Sequence, residues 1–126
     1  FDFNGNSYVY PDTKIIYWAG GNPFHHHQDL NRLIKAWEKP DTIISNEWCW
    51  NTLAKRSDIV LPCTTPLERT DIMMTPRDPF VVSMDKIIEP YGKSKNDFEI
   101  FANFGHGLSK VSKLSFGNLE SFASFG

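Results

Sequence analysis

The chain has 126 residues, 40% of them hydrophobic and 14% aromatic, and a net charge of −2 at pH 7. That length makes one domain with a modest core. The near-neutral charge gives no reason to expect nucleic acid or an anionic membrane as partner, and apolar runs of only a few residues exclude a transmembrane segment.

In chain order, residues 1–10 carry Asn4-Gly5 between aromatic-rich flanks, the strongest short hairpin signal. No basic and apolar leader is visible, and with Phe1 rather than a start residue the sequence reads as an internal fragment. Lys14-Ile15-Ile16-Tyr17-Trp18 is β-rich without alternation, which reads as a strand buried on both faces. It runs into Gly20-Gly21-Asn22-Pro23, where Asn22 offers an N-cap and Pro23 a first helical residue. The regular helix can equally begin near Gln28, leaving His25, His26 and His27 in an irregular lead-in. Leu30, Leu33, Ile34 and Trp37 share one helix face, Asn31, Arg32, Lys35 and Glu38 the other, and Pro40 ends the helix.

Residues 41–45 predict a second strand with Asn46-Glu47 at its C-terminal end. Residues 48–57 predict a loop with a short helix opened by Asn51 or Thr52, and 58–62 a third strand. Apolar strands joined by helical segments predict a parallel sheet with right-handed crossovers. After a loop at 64–71, residues 72–74 and 80–84 read as strands around Pro76-Arg77-Asp78-Pro79, and 86–88 as extended chain. A last helix is expected to start within 94–97, to bury Phe98, Phe101 and Phe104, and to end at Gly105 and Gly107 with His106 exposed. Residues 109–126, with two Ser-Phe-Gly copies, fit neither helical nor strand periodicity. The fold class is α/β: a small parallel, Rossmann-like sheet with flanking helices plus hairpins.

A parallel sheet puts the loops 20–27, 46–50 and 64–71 at its carboxyl edge, where open α/β sheets bind ligands. Gly20 and Gly21 let the backbone approach a ligand, and a helix start favours an anion. Asn46 and Glu47 can accept ribose hydroxyls, and Arg69 can pair a phosphate. Asp97, at a helix start, can receive two N–H donors from a guanine edge. Singly, Glu47 and Arg69 also fit a solvated pair, and Asp97 a helix cap; their convergence on one edge favours a nucleotide-like ligand. The histidine run does not make a metal site, because helical neighbours point about 100° apart and helical zinc pairs stand four residues apart. One histidine is expected to face the ligand. Cys49 and Cys63 form neither a disulfide framework nor a metal knuckle and read as small buried or half-buried thiols. There is no nucleophile elbow, P-loop or carboxylate pair, so no catalytic set is visible.

The run Trp18-Ala19-Gly20-Gly21-Asn22-Pro23-Phe24-His25-His26-His27-Gln28-Asp29-Leu30-Asn31-Arg32-Leu33, with Asp58-Ile59-Val60-Leu61-Pro62 and Thr64-Thr65-Pro66-Leu67-Glu68-Arg69, resembles the molybdopterin oxidoreductases. The branch it resembles is that of the trimethylamine N-oxide, dimethyl sulfoxide and biotin sulfoxide reductases. The resemblance covers residues 1–110, a small internal part of such an enzyme, and leaves 111–126 as a divergent low-complexity tail. It implies part of a larger molybdopterin-binding domain, holding one of the two molybdopterin guanine dinucleotides that carry molybdenum. By motif position, Asn22 and His26 would touch the pterin and pyrophosphate end, with Gly20 and Gly21 beside them. Asn46 and Glu47 would meet the nucleoside, Arg69 a phosphate or base edge, and Asp97 the guanine. The implied chemistry is oxygen-atom transfer from a small S-oxide or N-oxide. The partners implied are the remainder of the parent chain and a redox donor protein. In this branch a serine ligates the metal, and no serine here matches that motif, so the isolated chain is expected to be inactive. The alternatives are a free-standing nucleotide- or cofactor-binding module and a non-functional truncated remnant.

Overall fold

The computed structural model describes residues 1–112. The predicted tail at 111–126 lies almost wholly outside the described residues. The chain divides into two compact units: Phe1–Ser45 with Trp50–Val60, and Asn46–Cys49 with the chain from Leu61 onward.

The first unit opens with a hairpin, β1 (Asp2–Phe3) and β2 (Asn6–Ser7), paired antiparallel. Its two-residue loop is Asn4-Gly5, with φ of 47° and 77°. Positive φ at both positions gives the reverse-twisted turn that matches the right-handed twist of the strands. β3 (Ile15–Ala19) follows. Asn22 then caps a single helical turn, α1 (Pro23–His26), its side-chain Oδ1 accepting from the Phe24 N–H at 3.0 Å. A second helix, α2 (Leu30–Trp37), starts separately: Asp29 sits in the left-handed region at φ 50° and accepts the Arg32 N–H at 3.1 Å. Both readings of this segment are therefore partly right, since His25 and His26 occupy a helical turn that ends at extended His27, before the regular helix begins.

A three-stranded parallel sheet runs in the order β3, β4 (Thr42–Glu47), β5 (Ile59–Pro62). Between β4 and β5 lies a 3-10 turn at Ala54–Arg56, with the Asn51 side chain accepting from the Ala54 N–H at 3.0 Å. The core consists of Phe24, Trp37, Ile43 and Leu53, with Ile16, Trp18, Leu33 and Ile34 packed against it. Leu53 is wholly buried, and burial of such a side chain stabilises by about 1.5–3 kcal/mol. Phe24 meets Trp37 edge-on at 5.2 Å, the Arg56 guanidinium stands 5.3 Å above the Phe24 ring, and the Trp37 indole N–H donates to the Arg56 carbonyl. The expectation of strands buried on both faces is corrected: β3 and β5 are edge strands of a three-stranded sheet, and Ile15 and Ile59 are exposed. Only central β4 is mostly buried.

In the second unit, a 3-10 turn at Pro66–Glu68 follows β5. β6 (Asp71–Met73) and β7 (Val82–Met84) form an antiparallel ribbon, as the sequence predicts. Residues 86–88 are no strand, although the Ile87 and Ile88 N–H groups both donate to the Leu67 carbonyl. The last helix, α3 (Asp97–Ser112), departs from expectation twice. It continues through Gly105 and Gly107, since glycine costs a helix only about 1 kcal/mol and does not bar it. Its buried residue is Ile100, while Phe98, Phe101 and Phe104 are 55%, 44% and 39% exposed. Periodicity finds an apolar stripe but not what covers it, and here the helix is rotated so that Ile100 faces inward. His106 is exposed, as expected, but within the helix.

Candidate functional site

The candidate residues fall into two sets, one in each unit. In the first unit, Gly20 and Gly21 follow β3 with φ of 79° and 68°, the left-handed region that disfavours side chains. The Trp18 indole N–H donates to both of their carbonyls, at 2.9 and 3.2 Å, so the turn is fixed by its own strand. The His26 ring stands over Gly21, with its Cδ2 and Nε2 each 3.8 Å from where a Cβ would be. His27 instead meets Trp18 edge-on at 6.3 Å. Asn22 is 7% exposed; its Oδ1 caps α1, while its Nδ2 donor is buried without a partner among the described residues. A buried amide donor left unmatched costs about 1–3 kcal/mol, which a ligand acceptor would recover.

In the second unit, Asn46 and Glu47 close β4 and are both buried. The Asn46 amide donates to Asp97 Oδ1 at 2.7 Å, across 51 residues of sequence. Asp97 does not cap its own helix. Asn96 does: its Oδ1 accepts the Glu99 N–H at 2.7 Å, and the Glu99 carboxylate accepts the Asn96 N–H. The Asp97 carboxylate therefore stays available to side-chain donors. Arg69 and Glu47 are no solvated pair either. Arg69 Nε donates to Asp71 at 2.7 Å and Nη1 to the Thr64 carbonyl at 2.6 Å, which aims the guanidinium from the end of β5.

Cys63 reports how these groups gather. Its thiol is pushed up to about 11, first by burial, then by the charges of Asp97 and Glu47, with Arg69 acting in the opposite sense. A parallel bridge between Cys63 and Lys95 brings the segment leading into α3 alongside the end of β5. The Cys63 N–H donates to the Glu47 carbonyl at 3.2 Å. The charges of Asp97, Glu47 and Arg69 thus act on one cysteine, and Asn46 is tied to them through its bond to Asp97. Arg69 holds the Asp71 carboxyl below its usual range, and hydrogen bonds from Thr65 and Tyr91 do the same for Glu68. The stabilisation from these two carboxylates is present above their unfolded values of 3.8 and 4.5 and is lost as pH falls through the depressed folded values.

Sequence reasoning did not place Cys63 in the cluster, and it missed Thr64, whose buried hydroxyl has no partner among the described residues. Its position just past a strand end was the only available signal. A cleft of about 420 Å³ in the first unit is lined by Trp37, Asp41, Arg56 and Asp58 among others and includes none of the candidate residues. Asp41 and Asp58 precede β4 and β5, so this cleft lies at the strand starts rather than at the ends that carry the candidates.

The small parallel sheet, with its flanking helices and antiparallel hairpins, places the chain among α/β proteins. The molybdopterin oxidoreductase family model matches residues 4–106, and the chain belongs to that family. It is 48% identical to a biotin sulfoxide reductase of Cereibacter sphaeroides over 101 residues, covering 80% of this chain and 14% of the relative. It is 43% identical to a dimethyl sulfoxide/trimethylamine N-oxide reductase of the same organism, over 95% of this chain and 15% of the relative. With a trimethylamine-N-oxide reductase of Haemophilus influenzae the identity is 48%, over 94% of this chain and 14% of the relative. The chain spans about one seventh of the length of these relatives, and the longer alignments run into the residues after Lys110. Among the described residues no helix is long and apolar enough to cross a membrane.

Proposed function

We propose that the chain is a piece of a molybdenum-dependent S-oxide or N-oxide reductase and that residues 1–110 contribute a half-site for one molybdopterin guanine dinucleotide. The observation that carries this reading is the cluster near Cys63, to which Asn46-Glu47, Arg69 and Asp97 come from three separate stretches of chain. The donor set suits a guanine nucleoside. Asp97 keeps Oδ2 and a second lone pair on Oδ1 for the N–H donors of a guanine edge. Glu47 accepts a ribose hydroxyl, and Arg69, already braced by Asp71 and Thr64, turns its remaining N–H donors to phosphate. In the first unit, the buried Nδ2 of Asn22 and the ring of His26 take the pterin and pyrophosphate end, with Gly20 and Gly21 allowing close backbone approach.

When bound, the molybdenum cofactor supplies the oxygen-atom transfer, and the protein supplies position and electrostatics. This chain's residues bind and orient the dinucleotide; none of them is proposed to act on the oxide. Calorimetry of the purified chain with the extracted cofactor and with guanosine 5′-diphosphate tests the reading. Binding with a preference for guanine over adenine nucleotides is expected, and no heat at high micromolar protein would sink it. A second assay follows reduction of trimethylamine N-oxide by a reduced viologen dye. The cofactor-loaded chain is expected to show no turnover, because the rest of a parent enzyme supplies the metal ligand.

A further inference from the structure

Glu68 directly precedes Arg69 and bonds the stretch that leads to Asp97, and it is buried at 9% exposure. Its Oε2 accepts the Thr65 N–H at 2.8 Å and the Thr65 hydroxyl at 3.0 Å, closing a reciprocal cap on the 3-10 turn that ends at Arg69. Its Oε1 reaches 23 residues along the chain to accept the Tyr91 N–H at 2.9 Å. Tyr91 begins the stretch that leads to Asp97: its carbonyl accepts the Ser94 N–H and hydroxyl, Lys95 pairs with Pro62 and Thr64, and Asn96 caps α3. One carboxylate therefore fixes the turn before Arg69 and the start of the segment before Asp97.

We propose that Glu68 is a positioning residue for the nucleotide half-site, acting through the turn that aims Arg69 and the 91–97 segment that delivers Asp97. The inference rests on the nucleotide reading above. Three donors converge on the two oxygens, so a carboxylate is the one side-chain group of this length that accepts all of them. An amide in its place sets an NH2 against either the Tyr91 N–H or the Thr65 N–H, whichever way it is flipped. Glu68→Gln is thus nearly isosteric and still breaks one arm of the strap.

The test uses the full chain with guanosine 5′-diphosphate as probe, read by calorimetry, by the amide spectrum and by the Arg69 Nε–H resonance. Glu68→Gln is expected to weaken binding at least tenfold and to shift the Arg69 resonance. Ile43→Val, a core substitution in the first unit, serves as the stability control and is expected to keep both affinity and resonance. Equal affinity in wild type and Glu68→Gln overturns the positioning role alone. Losses that track the thermal midpoint in both variants reduce Glu68 to a structural residue and overturn it as well. Failure of the wild type to bind overturns the nucleotide reading itself, and this inference with it. If Glu68→Gln does not fold, Thr65→Val removes the hydroxyl that donates to Glu68 and accepts its N–H, leaving the Thr65 N–H and Tyr91 arms; a loss of about threefold supports the strap, and unchanged affinity overturns it.

Discussion

Around Gly20 and Gly21 the groups offered to a ligand are largely main chain, held by an indole two and three residues away. Around Cys63 they are side chains, drawn together by contacts such as Asn46 to Asp97 across 51 residues. The first arrangement is set by dihedral angles and survives as long as its short stretch of chain does. The second exists only once β4, β5 and the start of α3 have taken their places. A local site is broken by backbone strain, a composite one by removal of a hydrogen-bond partner.

Four measurements sharpen this contrast, beginning with the largest effect. Phe24→Ala empties the core beneath the turn, and urea denaturation should show a loss of about 3–5 kcal/mol; a loss below about 1 kcal/mol would remove Phe24 from the core. The cluster is tested by its cysteine. With its thiol raised from 9.0 to about 11, Cys63 at pH 8 should alkylate roughly ten- to a hundredfold more slowly than in the urea-denatured chain. Mass spectrometry separates it from exposed Cys49, and equal rates would mean that neither burial nor the neighbouring carboxylates weigh on the thiol.

Gly21→Val forces a β-branched residue to φ 68°, a strain of about 1–2 kcal/mol. Nucleotide or cofactor retention should disappear while the far-ultraviolet dichroism stays that of the parent; unchanged retention makes the turn a packing feature. The smallest stability effect is expected from Asn22→Ser. Serine keeps a capping oxygen, so stability should change by at most a few tenths of a kcal/mol. Serine also removes the buried Nδ2 donor, so cofactor affinity should fall although the fold does not notice. An affinity equal to that of the parent would assign Nδ2 no ligand.

The same contrast explains what could be read before the structure. Asn4-Gly5, Asn22-Pro23 and the α2 face at Leu33, Ile34 and Trp37 are encoded within a few residues, and each appears where its local chemistry puts it. Asp29 was not foreseen as a left-handed cap, because asparagine and aspartate adopt that region without a distinctive neighbour pattern. The spacing of the α3 phenylalanines points them to the core because it records a stripe and not its partner; the buried residue there is Ile100. Of the candidate site, residue identities were legible at strand ends. What was not legible was that Asn46 would bond Asp97, that Asn96 would free Asp97 from capping, or that Cys63 would stand among the charges. Those facts depend on which segments become neighbours, and no short-range rule states that.

The bond from the Trp18 indole to the carbonyls of Gly20 and Gly21 has a spectroscopic consequence. The turn carries a built-in fluorophore whose N–H polarity depends on the turn keeping its shape. Trp48 and Trp50 are exposed and should emit at the red end, whereas half-buried Trp18 and buried Trp37, whose rings stand 5.7 Å apart, should share the blue side. Any event that peels those two carbonyls away, whether an arriving pyrophosphate or a melting strand, is written into the blue shoulder of the emission band. With buried Trp37 replaced by phenylalanine, the segment that begins the candidate site can thus be watched by light alone, with no label attached.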